Sequence, residues 1–167
     1  DYLFYPGVYT FTPVAASEYV EVNTKTVAVL DGVHGGTAYS ADAADVSLEA
    51  TYSDKLKEAA LDSAKEFLNS CASIPGNQNP DCPSALSSDA VSAISVKTMP
   101  TTLEPMDVDP GVFQGQVTFA VTYSDKSDMP GTRDVDAAGV VNVQFAKDGT
   151  LKLTPEGTPD FWVGTSR

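Results

Sequence analysis

Gly111-Val-Phe-Gln-Gly-Gln-Val-Thr-Phe-Ala-Val-Thr-Tyr123 is the stretch that decides the fold. Its second half places Val117, Phe119, Val121 and Tyr123 on one face of a strand and Thr118, Ala120 and Thr122 on the other, because side chains alternate along an extended backbone. A sheet with one apolar face needs a cover. Upstream, from Thr51 to Cys71, the period changes: Leu56, Ala60, Ala64, Phe67 and Cys71 recur at three and four, with Lys55, Lys57, Glu58, Asp62, Lys65 and Glu66 mostly opposite. This spacing predicts an amphipathic helix. Thr51 or Ser53 is its expected cap, and Thr51 with Asp54 fits a capping box. Pro75-Gly76 must stop it near Ser70 to Ser73.

Further strands are expected over Ala90 to Met99, over Ala138 to Phe145, and at Leu151-Lys-Leu after the turn Lys147-Asp-Gly-Thr. Several strands with one helix segregated to a face make an α+β layout, a curved antiparallel sheet with one main helix packed on it. Before the helix, Val8, Thr10 and Thr12 alternate with Tyr9 and Phe11, and Tyr19 to Val22 and Thr26 to Leu30 read as two more short strands. Residues 1 to 45 are therefore expected to form a small N-terminal β subdomain or extension, joined near Ala41-Asp-Ala-Ala-Asp to a helix-plus-sheet domain over 46 to 167.

Cys71 and Cys82, the two cysteines of the chain, flank the turn-rich segment Ala-Ser-Ile-Pro-Gly-Asn-Gln-Asn-Pro-Asp. The simplest chemistry is a disulfide stapling a mobile corner after the helix, which implies an oxidising, extracytoplasmic location. A redox couple fits less well, since Cys71 falls at a helix C-terminus rather than at the N-terminus that lowers a thiol pKa. The chain opens at Asp1 without an initiator methionine, so any export signal or anchor is expected upstream.

Ten Lys plus Arg against 23 Asp plus Glu give a net charge of −13. That surface repels a phosphate backbone, so nucleic acid is not an expected partner. No stretch approaches the 18 or so apolar residues of a membrane span, and no membrane insertion is expected within the sequence.

The candidate chemical motifs are weak. His34, the sole histidine, sits in Asp31-Gly-Val-His-Gly-Gly36, and His-Gly-Gly resembles the oxyanion loop of some esterases. No G-x-S-x-G supplies a nucleophile, and a histidine spent in that loop leaves no general base, so a glycine-flanked turn is the better reading. The ligand inventory, two Cys and one His, falls short of a structural zinc site. Asp107, Asp109, Asp125, Asp128, Asp134 and Asp136 lie at spacings that could converge on calcium or form an acid pair for glycoside hydrolysis. None fits the EF-hand loop, and solvated acids are the simpler reading. Tyr2, Phe4, Tyr5, Tyr9 and Phe11, with Phe161 and Trp162, could line a sugar or peptide groove, although strand packing accounts for half of them. No catalytic, cofactor-binding or metal-binding residue is assigned.

The order Tyr5-Pro-Gly-x-Tyr9, β segment, amphipathic helix, Cys71 and Cys82-Pro83 after a Pro/Asn-rich loop, then long strands, resembles extracytoplasmic domains of actinobacterial membrane-anchored or surface proteins. The part from about residue 46 also resembles the cystatin-like and nuclear-transport-factor-like arrangement of a helix across a curved antiparallel sheet. The resemblance implies a secreted or bacterial cell-surface location, and the acidic, disulfide-stapled α+β surface is read as a non-catalytic domain for recognition of a protein or cell-envelope component. A small-ligand carrier or acid-catalysed hydrolase with a pocket between helix and sheet is the alternative. Oligomeric state and ligand stay open.

Overall fold

The computed structural model describes residues 7–14, 17–29, 48–125, 127–128 and 130–159. By compactness the chain divides into Asp1–Ser53 and Asp54–Arg167. The expected joint at 41–45 lies outside the described residues.

The N-terminal unit holds two antiparallel ribbons. β1 (Gly7–Phe11) pairs with β3 (Lys25–Val29), putting Tyr9 opposite Val27 and Thr10 opposite Thr26, whose hydroxyls lie 3.1 Å apart. β2 (Val20–Val22) pairs with β4 (Ala50–Tyr52). Thr51 therefore lies in a strand opposite Glu21, and the Thr51/Asp54 capping box does not form. A three-residue strand has no periodicity to announce it; its partner, about thirty residues away, specifies it. The buried Ser53 accompanies β4, with its N–H donating to the Tyr19 carbonyl (3.0 Å) and its hydroxyl to the Glu18 carbonyl (3.0 Å).

The C-terminal unit is α+β. Helix α1 (Asp54–Cys71) precedes a curled antiparallel sheet of β5 (Val91–Thr98), β6 (Glu104–Met106), β7 (Asp109–Tyr123), β8 (Gly131–Phe145) and β9 (Leu151–Pro159). The order is β5-β7-β8-β9. β6 also pairs with β7, so β5 lies along residues 118–123 of β7 and β6 along its beginning.

Leu56, Ala60, Ala64, Leu68 and Cys71 are buried along α1. Leu68 takes the buried place expected for Phe67, which packs half-buried against the core. Phe113, Val117, Phe119 and Val121 of β7 with Ala137, Val141 and Val143 of β8 form the opposing wall. Register lines up Gly115, Gly139 and Gly157 across β7, β8 and β9 on this same face. An added Cβ would stand 2.8 Å from Leu68 Cδ1 at Gly139, 2.4 Å from Pro83 Cδ at Gly157, and 2.7 Å from Leu103 Cδ2 at Gly115. The row is a trough without side chains, which lets α1 and two connecting segments sit close on the backbone of the sheet.

The disulfide forms as expected between Cys71 and Cys82, with Cα atoms 5.7 Å apart. Its surroundings differ from the expected corner. Both cysteines are buried among Leu68, Leu86, Val117 and Phe119, so the bridge belongs to the core. Asn77, inside the loop and also buried, donates from Nδ2 to the Leu86 carbonyl at 2.6 Å and ties the loop to the turn that follows.

Candidate functional site

The face of the sheet away from α1 is polar because the even-numbered residues of β7, β8 and β9 point there. Thr118 donates to Asp136 Oδ1 (2.7 Å), the Thr122 and Thr132 hydroxyls lie 2.9 Å apart, and Asn142 donates to Glu156 Oε1 (2.7 Å). Lys97 forms an ion pair with Asp134 across β7. These cross-strand contacts link side chains that are half-buried or exposed.

The structure separates the acidic residues that sequence spacing grouped. Asp107 and Asp109 lie at the start of β7, where Asp109 Oδ1 accepts from the Gly111 N–H (2.9 Å). Asp125 and Asp128 lie beyond its far end, fifteen strand residues away. At about 3.3 Å per residue that is of the order of 45 Å along the strand. Among the described residues no three His, Cys, Asp or Glu side chains gather as a metal site. The buried polar side chains are Ser53 and Asn77, so no described carboxylate is buried. Arg133 stacks over the Tyr123 ring at 4.8 Å. His34, Tyr2, Phe4, Tyr5, Phe161 and Trp162 lie outside the described residues; Tyr9 and Phe11 are half-buried in β1.

One carboxylate is perturbed by its turn. Asp148, fully exposed between β8 and β9, is held below the ordinary carboxyl value of 3.8 by the Thr150 backbone N–H and then by the Thr150 hydroxyl. Thr150 N lies 3.0 Å from Asp148 Oδ1, and Gly149, at φ 83°, supplies the left-handed step.

The sheet carries a concave feature with no local signal in the sequence. Where β5 ends and β6 begins, the intervening segment leaves the plane of the sheet: Pro100 and Leu103 are buried against Gly115 on the core face. The gap opens as a shallow depression of about 280 Å³ lined by Thr102, Glu104, Gln114, Gly115, Gln116 and Ala138.

Ladder parity identifies which main-chain groups face it. Gly157 N–H points out of β9 to the Asp81 carbonyl (2.7 Å), so the odd residues of β9 face outward and its even residues bond β8. Carried through the uninterrupted β9-β8-β7 register, this makes the even residues of β7 face β5 and β6. The Thr122 carbonyl agrees, since it accepts from Ser92 Oγ of β5 (3.1 Å). Gln114 has Glu104 as its partner, Thr118 has Thr98, Ala120 has Ser95 and Thr122 has Ala93. Gln116 has no strand partner on that side among the described residues. Its N–H and C=O face the depression side by side, below two glutamine carboxamides, a threonine hydroxyl and one glutamate.

A smaller depression of about 220 Å³ in the N-terminal unit is lined by Asn23, Thr24, Lys25 and Glu49. Comparison with known protein families, with curated proteins and with solved structures finds no match for this chain.

Proposed function

We propose that this chain is a non-catalytic recognition module of the extracytoplasmic space, secreted or anchored at a bacterial surface, whose partner is a protein or another cell-envelope component. The observation that carries the reading is the filled space between helix and sheet. A carrier or hydrolase of this layout keeps its cavity there, between apolar walls with convergent polar groups. Here Leu56, Ala60 and Leu68 of the helix and Phe113, Val117 and Phe119 of the sheet are each at most 1% exposed, Leu68 packs in one cluster with Val117 and Phe119, and Gly139 lets the helix sit close on the sheet. The described acids stand on open faces and turns, where water screens them. A core cystine supports the location, because a reducing cytosol disfavours such bonds. No helix among the described residues is long and apolar enough to cross a membrane.

The test uses fluorescently labelled chain on intact actinobacterial cells and on the same cells shaved with protease. Saturable binding is expected, lost on shaving when the partner is a protein. Absence of saturable binding to both overturns the recognition reading. Intact mass with and without alkylation of the natively isolated chain tests the location, and two alkylated thiols overturn it.

A further inference from the structure

We propose that the vacancy at Gln116 is a docking point for one residue of an extended polypeptide, with a cationic side chain beside it held by Glu104. This rests on the recognition reading for the class of partner and adds the place and the chemistry.

A single residue in a strand edge offers its N–H and C=O in the same direction. The group that satisfies both is another extended residue, which exchanges both bonds as in an antiparallel pair. A trans secondary amide, such as the acetamido group of an amino sugar, points its N–H and C=O oppositely and satisfies only one. The vacancy therefore favours a peptide over an N-acetylated sugar. From Gln114 to Thr118 β7 advances about 13 Å, and with Glu104 and Thr98 at the two ends the gap admits one extended residue opposite Gln116, whose neighbours must turn out of the sheet. On one side Pro105 interrupts the edge, and on the other Lys97 and a register shift between Val96 and Thr98 guard β5. Both are devices that keep a whole strand from adding to a sheet, so the site takes a short segment.

Side-chain chemistry sets the sign. A partner residue opposite Gln116 projects its side chain onto the face that carries Gln114, Gln116 and Glu104, and in a chain of net charge −13 that side chain is favoured as a cation. The two carboxamides and the Thr102 hydroxyl remain for the polar atoms of the flanking residues.

The experiment is an amide-resolved NMR titration of the isotope-labelled full chain with acetyl-Thr-Lys-Thr-amide at millimolar concentration. Without peptide, the Gln116 amide proton exchanges with water faster than those of Gly115 and Val117, which bond β8. With peptide, it shifts and its exchange slows about tenfold or more. Methylating the backbone nitrogen of the peptide's lysine weakens binding about tenfold, the loss of one hydrogen bond. Glu104→Gln, or glutamate in place of the lysine, weakens it about two- to fivefold, as for an exposed ion pair. Gln116→Pro removes the N–H without touching the β8 ladder and abolishes the effect. If that variant does not fold, the methylated peptide and Glu104→Gln carry the test alone.

A Gln116 amide already protected in the free chain overturns the proposal. So does a titration that moves amides elsewhere, or none, while protease-sensitive binding to cells persists, and that outcome leaves the recognition reading intact. Peptide capture at Gln116 without any binding to cells supports the site and overturns the envelope assignment.

Discussion

The two edges of the sheet are treated in opposite ways. On β9 the outward positions are Leu151, Leu153, Pro155, Gly157 and Pro159. Two of these are prolines with no N–H to offer, and the Gly157 N–H is bonded to Asp81 from the segment that the cystine holds. On the other edge β5 and β6 share β7 between them and leave Gln116 exposed at their junction. β9 is an edge on which two prolines and a covalently tied loop remove outward donors, whereas on the other side the outer strand is broken between β5 and β6 and leaves one residue of the inner strand β7 without a strand partner. The difference teaches that an open main-chain group carries information only where its neighbours are closed: an edge open along its length invites aggregation, whereas one open residue between guarded flanks selects a short partner.

Breaking the closed edge has the largest expected effect. Cys71→Ala with Cys82→Ala removes the bond that holds residues 72–81 over β9 and releases loop entropy to the unfolded chain. A loss of about 3 kcal/mol is expected in denaturant unfolding. It should be accompanied by faster exchange of the Gly157 amide. Gly157→Ala leaves the bond in place and drives a methyl to 2.4 Å from the Pro83 ring, a neighbour with no rotamer to yield. About 1–3 kcal/mol of destabilisation follows from overpacking. Gly139→Ala meets the end of Leu68, which can adjust, and should cost less in the same assay.

How much of this was legible follows the range of the interactions. The core half of β7 and the body of α1 were readable because alternation and the 3.6 period are local. Phe67 stood in for Leu68 because 64 to 67 and 64 to 68 both stay near the stripe, and only the drift of the helix over the sheet chooses between them. Strand β8 begins at Gly131, seven residues before the expected start, since Asp134 and Asp136 look like turn residues until the open polar face accommodates them. Strand β9 continues through Pro155, Gly157 and Pro159, which read as breakers but are tolerated on an edge. The cystine pairing was legible and its burial was not, because burial depends on Leu86, Val117 and Phe119 converging from elsewhere. Gln116 had no local signal. Gln-Gly-Gln marks a polar interruption of the strand, and the vacancy arises from the departure of the segment between Thr98 and Glu104.

Pro155 sharpens the comparison with a smaller effect. Pro155→Val restores an outward donor in the middle of the β9 edge, flanked by Leu153, while the β8 ladder is unchanged. Stability should move by less than about 1 kcal/mol. Sedimentation is the discriminating measurement, with stronger self-association than the parent chain at equal concentration. Equal association of the two chains would show that the Asp81 contact alone closes this edge.

The smallest expected effect lies in the turn that feeds the closed edge. Because the Asp148 carboxylate accepts from Thr150, its folded-state pKa lies below that of the unfolded chain. The sign follows: its contribution is complete above the ordinary carboxyl range and is lost as pH falls through the lowered folded value. A carboxyl-carbon NMR titration should place the Asp148 midpoint below 3.8, and the Thr150 amide proton should move with the same midpoint because it is the donor. Asp148→Asn keeps an acceptor but removes the charge, so the pH-dependent part of the Thr150 shift should vanish while the turn persists, held by the Gly149 N–H to the Ala146 carbonyl at 2.9 Å. A Thr150 shift that still titrates in the variant would assign the effect to another acid and leave the turn held by its main chain alone.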